Sequence, residues 1–328
     1  MREPLALTWF EHRRTRGLCA GLGIELVAMD VGFRGAPRYL LLGLRTIVLL
    51  LRRSPRVLLV SNPSLGLSAL AVVLRRFFGY RLVVDAHNEA VMPFMHKQRW
   101  LQNLSRWIVR KADLTIVSNR QLAAVVEEQG GRPFTLPDPL PVPPTLSPRK
   151  LDGEFNVVLV STFAPDEPVG AVFEAVRDSN ISLYVTGNSS KLDPAAARNI
   201  SPNIHLTGFL ADEEYWKLLR SADALIDLTL MDNCLVCGAY EGLALGKPML
   251  LSKNPASVEL FGDCALYTDN TSADILRLLR RLRTDYAPLQ RAGVNKHAEL
   301  TAAWAVRSLA LCDILRQWQT GTRSESAL

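Results

Sequence analysis

The chain has only five cysteines in 328 residues, and they are scattered along it. An odd, dispersed set is typical of reduced thiols in a cytoplasmic protein and excludes a disulfide framework. Cys234 and Cys237 form one CxxC pair, but a zinc site takes about four ligands from paired clusters, and no second cluster exists. We therefore expect no metal and no cofactor, and we interpret these two thiols as small side chains that fill a loop.

Long hydrophobic runs are missing as well. The longest apolar segment, residues 39–51, is interrupted by Arg45 and falls short of the ~20 residues that cross a bilayer. The first 17 residues carry charges within and after their apolar patch, which a signal peptide does not. We expect a cytoplasmic protein and leave open whether it attaches peripherally to the inner face of the membrane.

Signals for nucleic-acid binding are also absent, since the sequence has no aromatic-basic repeat and no zinc-finger spacing. We expect no nucleic-acid partner. The net charge of +6 nevertheless hides a basic first half: residues 1–150 hold 22 lysines and arginines against 10 acidic residues, and the remainder holds 16 against 22. A basic half indicates a partner that carries phosphate, such as anionic lipid or a phosphorylated substrate, and a solvated face without a partner is the alternative.

What is present is enough apolar material for two domains, since 48% of the residues are hydrophobic. Strand-like runs alternate with helical segments in both halves. Strands are predicted at residues 5–10, 22–29, 57–61, 81–85, 113–118, 156–160, 182–186, 205–208, 223–230 and 249–252. Such alternation predicts an α/β fold with parallel sheets and ligands at their carboxyl edges. Residues 136–148 are rich in proline and are predicted to be the linker.

The segment of residues 232–248, DNCLVCGAYEGLALGKP, is the centre of the predicted chemistry. Gly238 opens a helix directly after a predicted strand and loop, and Gly246 ends it. The free N–H groups and the dipole of such a helix start favour an anion, typically phosphate. Glu241 lies about one turn into this helix, so its carboxylate is expected to reach a ligand hydroxyl.

Charged residues follow two strands of the first half. His12, Arg13 and Arg14 come just after the first strand, and Asp85 and His87 lie at the end of the strand at residues 81–85. These positions face the ligand crevice of an open parallel sheet. The alternatives are that the arginines solvate a helix face and that His87 caps the next helix.

Two predicted helices, at residues 38–53 and 65–78, mix arginine with large apolar residues. Such helices can lie on a bilayer, with their cations on anionic head groups and their apolar side chains dipping into the lipid. The alternative is that the apolar faces pack on the sheet.

The segment around Glu241 resembles the donor-site motif of the GT-B glycosyltransferases of family 4, which are retaining enzymes. In that family two glutamates separated by seven residues precede a small-residue helix and Gly-Lys-Pro. Glu241 matches the second glutamate and is implied to hold the ribose, while Asn233 stands at the first. The family also has an Asp-x-His segment whose histidine contacts the sugar and its phosphate, and Asp85 and His87 match it.

The resemblance implies two Rossmann-like parallel-sheet domains facing a cleft. Residues 1–148 would form the acceptor side, with His12, Arg13 and Arg14 toward the acceptor, and residues 149–300 would bind the nucleotide sugar. Residues 301–328 would be a helix crossing back to the first domain, with a tail. Catalytic roles fall on His87, Asp85 and Asn233. Donor contacts fall on Glu241, Ser161, Thr162, Gly187, Gly208, Phe209, Leu210, Leu235, Val236, Cys237 and Gly238.

One departure from the family concerns the loop after the first strand of the second half. Family members carry an arginine and a lysine there that clamp the diphosphate, whereas this chain has STFAPDEP from Ser161 to Pro168. The charge would then be met by the Ser161 and Thr162 hydroxyls, by backbone N–H groups near Cys237 and Gly238, and by arginines of the first domain.

The expected function is transfer of a sugar from a nucleotide-diphosphate sugar to a glycan or polyprenyl-diphosphate-linked acceptor in bacterial-type polysaccharide or glycoconjugate synthesis. The acceptor would bind the basic first domain, and no metal is expected. Two alternatives stay open: a non-catalytic accessory or binding subunit that has lost the clamp, and a nucleotide-sugar epimerase or phosphorylase on the same scaffold.

Overall fold

The computed structural model describes residues 3–10, 13–32, 35–61, 64–86, 88–91, 99–192 and 200–321. The chain divides into two compact units. Unit 1 comprises residues 1–139 and 302–328, and unit 2 comprises residues 140–301. The first division falls nine residues before the expected boundary after residue 148. Leu140 packs against the core of unit 2, so most of the proline-rich stretch belongs to that unit.

Unit 1 is built on one six-stranded sheet in the order β2-β1-β3-β4-β5-β6, and all its strand pairs are parallel. The strands are β1 (Leu5–Thr8), β2 (Glu25–Ala28), β3 (Val57–Ser61), β4 (Arg81–Asp85), β5 (Leu114–Val117) and β6 (Pro133–Thr135). The helices are α1 (Arg13–Leu22), α2 (Ala36–Arg53), α3 (Leu65–Phe78), α4 (Asn88–Val91), α5 (Arg99–Lys111) and α6 (Arg120–Glu128).

The core of unit 1 lies on both faces of this sheet. Central strands such as β3 and β4 read as continuous apolar runs because both of their faces are covered. Helices α2, α3 and α5 pack on one face. On the other face lie α1 and the carboxyl-terminal part of the last helix, through Leu311 and Leu315.

Unit 2 repeats this plan with the strand order β12-β11-β10-β7-β8-β9, again with all pairs parallel. Its strands are β7 (Phe155–Leu159), β8 (Ile181–Thr186), β9 (Ile204–Gly208), β10 (Ala224–Asp227), β11 (Met249–Ser252) and β12 (Ala265–Thr268). Its helices are α7 (Val169–Val176), α8 (Asp212–Ser221), α9 (Cys237–Ala244), α10 (Pro255–Phe261) and α11 (Ser272–Thr284). The last helix, α12 (Tyr286–Thr320), begins in unit 2 and ends in unit 1.

Each sheet has a point where the strand order reverses, which is where open α/β sheets bind ligands beyond their carboxyl ends. In unit 1 this point lies between β1 and β3, and in unit 2 it lies between β7 and β10. The candidate site residues are described below at these two edges. Within the described residues, none of the helices combines the length and the apolar character needed to cross a bilayer.

Candidate functional site

The loops after β7, β8 and β9 meet at the carboxyl edge of unit 2. The N–H of Gly187 donates to the carbonyl of Gly208 over 3.2 Å, and the N–H of Ser161 donates to the Thr186 hydroxyl over 3.1 Å. Gly187 has a φ of 101°, and a Cβ at this position would overlap the Ser161 carbonyl oxygen. Glycine is therefore required where these loops approach each other most closely. The structure thus brings together Ser161, Gly187 and Gly208, which were predicted separately.

In the loop after β7, the hydroxyls of Ser161 and Thr162 donate hydrogen bonds to the carboxylate of Glu167. The Ser161 Oγ donates to Glu167 Oε2 over 2.6 Å, and the Thr162 Oγ1 donates to Glu167 Oε1 over 2.7 Å. The Thr162 N–H donates to both carboxylate oxygens, at 3.1 and 3.0 Å. These donors were predicted to meet a diphosphate, and in this structure they hold Glu167. Lys191, which was not predicted as a site residue, lies in the loop after β8, with its Nζ 3.4 Å from the Thr162 carbonyl oxygen.

The start of α9 is also occupied internally. The N–H of Gly238 donates to Asp227 Oδ2 over 2.7 Å, and a Cβ at Gly238 would lie only 2.6 Å from the same oxygen. Burial raises the pKa of Asp227 well above its ordinary value, the Gly238 hydrogen bond lowers it in part, and the neighbouring carboxylates of Glu241 and Glu167 raise it further. The prediction that the Gly238 N–H faces a phosphate is therefore wrong, because this donor is used by Asp227.

Glu241 lies one turn further along α9 and is buried. The hydroxyl of Tyr215, on α8, donates a hydrogen bond to Glu241 Oε2. This contact orients the carboxylate, which has acceptor capacity for several hydrogen bonds. Tyr215 was not among the site residues predicted from the sequence. Its only signal there is a phenol early in the helix that follows the Gly208-Phe209-Leu210 segment.

The remaining predicted donor residues differ in exposure. Phe209 is 86% exposed, while Leu210 packs against the core beside Tyr215. Asn233 adopts a left-handed backbone conformation with a φ of 57°, which asparagine tolerates better than most residues. Leu235 and Val236 pack against the core beneath α9, and Cys237 is exposed.

In unit 1, Arg14 and Asp85 form a buried pair. Arg14 is 7% exposed and Asp85 is 0% exposed. The Arg14 Nε donates to Asp85 Oδ1 over 3.0 Å, its Nη1 contacts Asp138, and its Nη2 donates to the Leu136 carbonyl over 3.4 Å. Arg14 was predicted to face an acceptor, and its burial corrects that: it links α1 to the end of β4 and to the segment after β6. Asp85, predicted to be catalytic, is the carboxylate that it holds. His12 and His87 lie outside the described residues, as does the side chain of Arg13.

The outer surface of α2, α3 and α5 in unit 1 carries both cations and apolar side chains, and we call it the basic-apolar surface. Its exposed apolar residues are Tyr39, Leu40, Leu44, Val48, Leu51, Val73, Phe77, Trp100 and Trp107. Its exposed basic residues are Arg45, Arg52, Arg53, Arg76, Arg99, Arg106, Arg110 and Lys111. The inner faces of these helices pack on the sheet, and their outer faces remain partly apolar. Contact of the outer faces with a bilayer stays a prediction.

The carboxyl edge of unit 2 carries several carboxylates together with hydroxyl and N–H donors. The carboxylates of Glu241, Glu167 and Asp166 there each contribute to the raised pKa of Asp227. Among the described residues, no group of three or more histidine, cysteine, aspartate or glutamate side chains is arranged to hold a metal ion. Hydroxyl and N–H donors at Ser161 and Thr162 suit an oxyanion, and the oriented Glu241 carboxylate suits a hydroxyl pair.

Comparison with known proteins finds one matching family and several similar structures. Residues 5–136 match the glycosyl transferase 4-like domain family, while a search of curated proteins finds no match. Sucrose-phosphate synthase from Thermosynechococcus elongatus is similar, with a TM-score of 0.76 and 14% identity over 98% of this chain and 100% of that one. HepE from Anabaena, solved in complex with UDP and glucose, has a TM-score of 0.73 and 13% identity over 95% of this chain and 91% of its own.

A glycosyltransferase from Rickettsia africae is also similar in structure, with a TM-score of 0.70 and 9% identity over 96% of this chain and 99% of that one. At such identities the likeness concerns the fold, which is the GT-B arrangement of two Rossmann-like units with parallel sheets. The family match over residues 5–136 and the similarity of fold over the whole chain confirm the resemblance found in the sequence: the chain has the GT-B fold and resembles the glycosyltransferases of family 4.

Proposed function

We propose that the chain is a retaining glycosyltransferase that uses a nucleotide-diphosphate sugar as donor and builds a glycan or a polyprenyl-diphosphate-linked sugar. The observation that carries this proposal is the buried Glu241 carboxylate, oriented by Tyr215 at the carboxyl edge of unit 2. A carboxylate is the group that accepts hydrogen bonds from both hydroxyls of a ribose. HepE, which shares the fold, was solved in complex with UDP-glucose, and this supports a nucleotide sugar as the donor.

Within this proposal, Phe209 and Leu210 contact the base, Glu241 holds the ribose, and the loop around residues 235–238 lies along the sugar. Cys237 and the Ser161–Thr162 loop lie near the diphosphate. The leaving diphosphate assists same-face attack by the acceptor, so no pair of carboxylates acts as nucleophile and acid. Asn233 would contact the sugar through an amide, which can donate as well as accept. The predicted roles of His87, His12 and Arg13 stay predictions.

Titration calorimetry with UDP and a panel of other nucleoside diphosphates tests the donor site. Glu241→Gln keeps the shape of the side chain but removes its charge, and we expect it to weaken nucleotide binding about ten- to hundredfold, the range for a lost hydrogen bond to a charged group. Glu174→Gln is the matched control, because Glu174 is an exposed residue of α7 in the same unit. Equal affinities of wild type and Glu241→Gln would remove the basis of the proposal.

Transfer itself is tested by mass spectrometry. Pooled nucleotide sugars are incubated with a membrane lipid extract, and a sugar mass added to a lipid-linked acceptor is the expected result. Glu241→Gln should reduce that product in proportion to its loss of donor affinity, whereas Glu174→Gln should not. Nucleotide binding without any transfer, across lipid and glycan acceptors, would contradict the enzymatic part of the proposal.

The basic-apolar surface supports a lipid-linked acceptor and a site of action on the inner face of the membrane. Its cations would contact anionic head groups, and its apolar side chains would enter the interface. We expect co-flotation with anionic liposomes that weakens at high salt. Leu40→Glu and Leu44→Glu should abolish it, whereas Leu309→Glu, at an equally exposed apolar position of α12, should not. No flotation of the wild type at either salt concentration would exclude this surface as a membrane site.

A non-catalytic accessory subunit is the second candidate. It is favoured by one observation, the occupation of the Ser161 and Thr162 donors by Glu167 where family members place a cationic clamp. This candidate predicts nucleotide binding with no transfer under any of the conditions above. The transfer assay therefore decides between the two candidates.

A further inference from the structure

The cradle around Glu167 has the donor set of an oxyanion site. Two hydroxyls and one backbone N–H, from the adjacent residues Ser161 and Thr162, converge on both carboxylate oxygens. The Ser161 Oγ in turn accepts a hydrogen bond from the Phe163 N–H over 3.0 Å, which orients the hydroxyl toward Glu167. Phosphate oxygens are recognised by the same kinds of donor as carboxylate oxygens.

The cradle is a built feature of the fold. Phe163 is buried with a φ of 55°, a left-handed conformation that is strained for a bulky residue and is retained only when the surroundings fix it. Gly187, directly after β8, lies so close to Ser161 that a Cβ at this position would overlap the Ser161 carbonyl oxygen. Asp166 ties the same loop to the segment after β10, since the Thr229 hydroxyl donates to Asp166 Oδ2 over 2.8 Å. These contacts hold the donors in place independently of Glu167.

Glu167, in contrast, lies at the rim of the cradle. Its side chain is half-buried and next to Thr162, which is exposed. Lys191, also exposed, lies beside the cradle with its Nζ near the Thr162 carbonyl. A half-buried carboxylate can be exchanged for another anion without opening the core, and the nearby ammonium favours an anion of higher charge.

We propose that Ser161 and Thr162 form the oxyanion site for the diphosphate of the donor, that Glu167 occupies this site when no donor is bound, and that Lys191 supplies the positive charge of the missing clamp. The inference rests on the proposed function and specifies how its donor site works. Donor binding then requires Glu167 to leave, so Glu167 lowers the apparent affinity for every ligand that carries a diphosphate. It leaves the affinity for the nucleoside alone unchanged.

The test compares UDP, inorganic pyrophosphate and uridine by titration calorimetry. Glu167→Ala and Glu167→Gln should each bind UDP and pyrophosphate about tenfold more tightly than wild type, because the competing charge is gone. Uridine affinity should not change. Glu174→Gln controls for the loss of one negative charge from unit 2, and circular dichroism confirms that each variant is folded.

The second half of the test concerns Lys191. Lys191→Ala should weaken UDP and pyrophosphate about tenfold and leave uridine unaffected, whereas Lys150→Ala, at another exposed lysine of unit 2, should behave as wild type. Unchanged or weaker pyrophosphate binding in both Glu167 variants would overturn the inference.

The experiments distinguish failure of the glycosyltransferase proposal from failure of the oxyanion-site proposal. If sugar transfer occurs but neither Glu167 variant gains affinity, the self-occupied site is wrong and the glycosyltransferase proposal stands. If both variants gain affinity for pyrophosphate but no nucleotide sugar is used, the oxyanion site stands and the proposed function is wrong.

Discussion

Replacing Arg14 with methionine keeps most of the side-chain volume on α1 but removes the guanidinium from between Asp85 and Asp138. The two carboxylates then differ in what can replace the lost donors. Asp138 has 22% of its side chain exposed, so water can replace the guanidinium there. The side chain of Asp85 is completely buried, so water cannot reach it. Removing one partner of a buried ion pair costs about 3–5 kcal/mol. We expect Arg14→Met to lower the free energy of unfolding by that amount, mostly through Asp85.

Urea denaturation followed by tryptophan fluorescence measures the loss in the free energy of unfolding of unit 1. Five of the six tryptophans, all except Trp216, lie in unit 1, so the fluorescence transition reports mainly on that unit. Combining Arg14→Met with Asp85→Asn in a double-mutant cycle isolates the pair. The double variant should be more stable than Arg14→Met alone, because asparagine carries no charge that needs a partner.

An exposed pair of the same unit is the control. Arg53 contacts Glu25 over 2.8 Å with both side chains about half exposed, and exposed pairs contribute at most about 1 kcal/mol. Arg53→Met should therefore change stability little. A loss below about 1 kcal/mol for Arg14→Met, or a coupling energy near zero with Asp85→Asn, would refute the view that burial makes this pair structurally essential.

Three further predictions concern unit 2. Asp227 has a higher pKa in the folded chain than in the unfolded chain, so the folded chain binds this proton more tightly. The resulting contribution to the free energy of unfolding is fully present below the ordinary pKa of an aspartate and is lost as pH rises through the raised pKa of the folded chain. Asp227→Asn keeps the acceptor for the α9 N–H and never ionises, so its melting temperature relative to wild type should increase as pH rises above the ordinary pKa of an aspartate. A difference that stays constant with pH would contradict this. Gly187→Ala should cost about 1–3 kcal/mol in urea denaturation through its positive φ and the overlap with the β7 loop. Gly170→Ala, which meets open space, should not destabilise the chain, and equal effects of the two would refute the argument. Phe209→Ala should leave stability within about 0.5 kcal/mol but weaken UDP about tenfold if the exposed ring stacks on the base, and calorimetry showing unchanged UDP affinity would remove that role.

The elements that the sequence predicts well are those with both a periodic pattern and a local end signal. Helix α3 has the predicted bounds because Ser64 caps its start, accepting from the Leu67 N–H, and Gly79 ends it in a left-handed conformation. Strand β6 was missed because it has three residues, begins with Pro133 and lies at the edge of the sheet, where proline is tolerated. Strand β12, at the edge of the other sheet, was missed too.

Helix α12 was predicted to begin near residue 301, and it begins at Tyr286. Pro288 lies within its first turn, where the missing N–H has no helical acceptor to lose. Leu289 belongs to the core of unit 2, while Leu311 and Leu315 belong to the core of unit 1. No single apolar stripe therefore runs along the helix, and the pattern that reveals shorter helices is weak here.

The candidate site was predictable to the level of loops and no further. Ser161, Gly187 and Gly208 were each predicted at a strand end, and the structure brings them to one edge because parallel strands bring their carboxyl ends together. The sequence does not reveal that Glu167 folds back onto Ser161, or that Tyr215 reaches Glu241. The first contact depends on how the loop after β7 closes and the second on how α8 and α9 approach each other, and neither produces a periodic pattern in the sequence.

Asp227 and Glu167 show why a sequence pattern typical of phosphate sites can identify hydrogen-bond donors correctly although a carboxylate of the chain itself accepts from them. Helix-start N–H groups and loop hydroxyls favour any anion, so a carboxylate of the chain itself satisfies them as well as a phosphate does. What separates the two cases is burial. Asp227 is buried against the Gly238 N–H, and displacing it would strand a polar group in the core. Glu167 lies at a solvated rim, so a donor phosphate can replace it at Ser161 and Thr162 but cannot replace Asp227 at the start of α9.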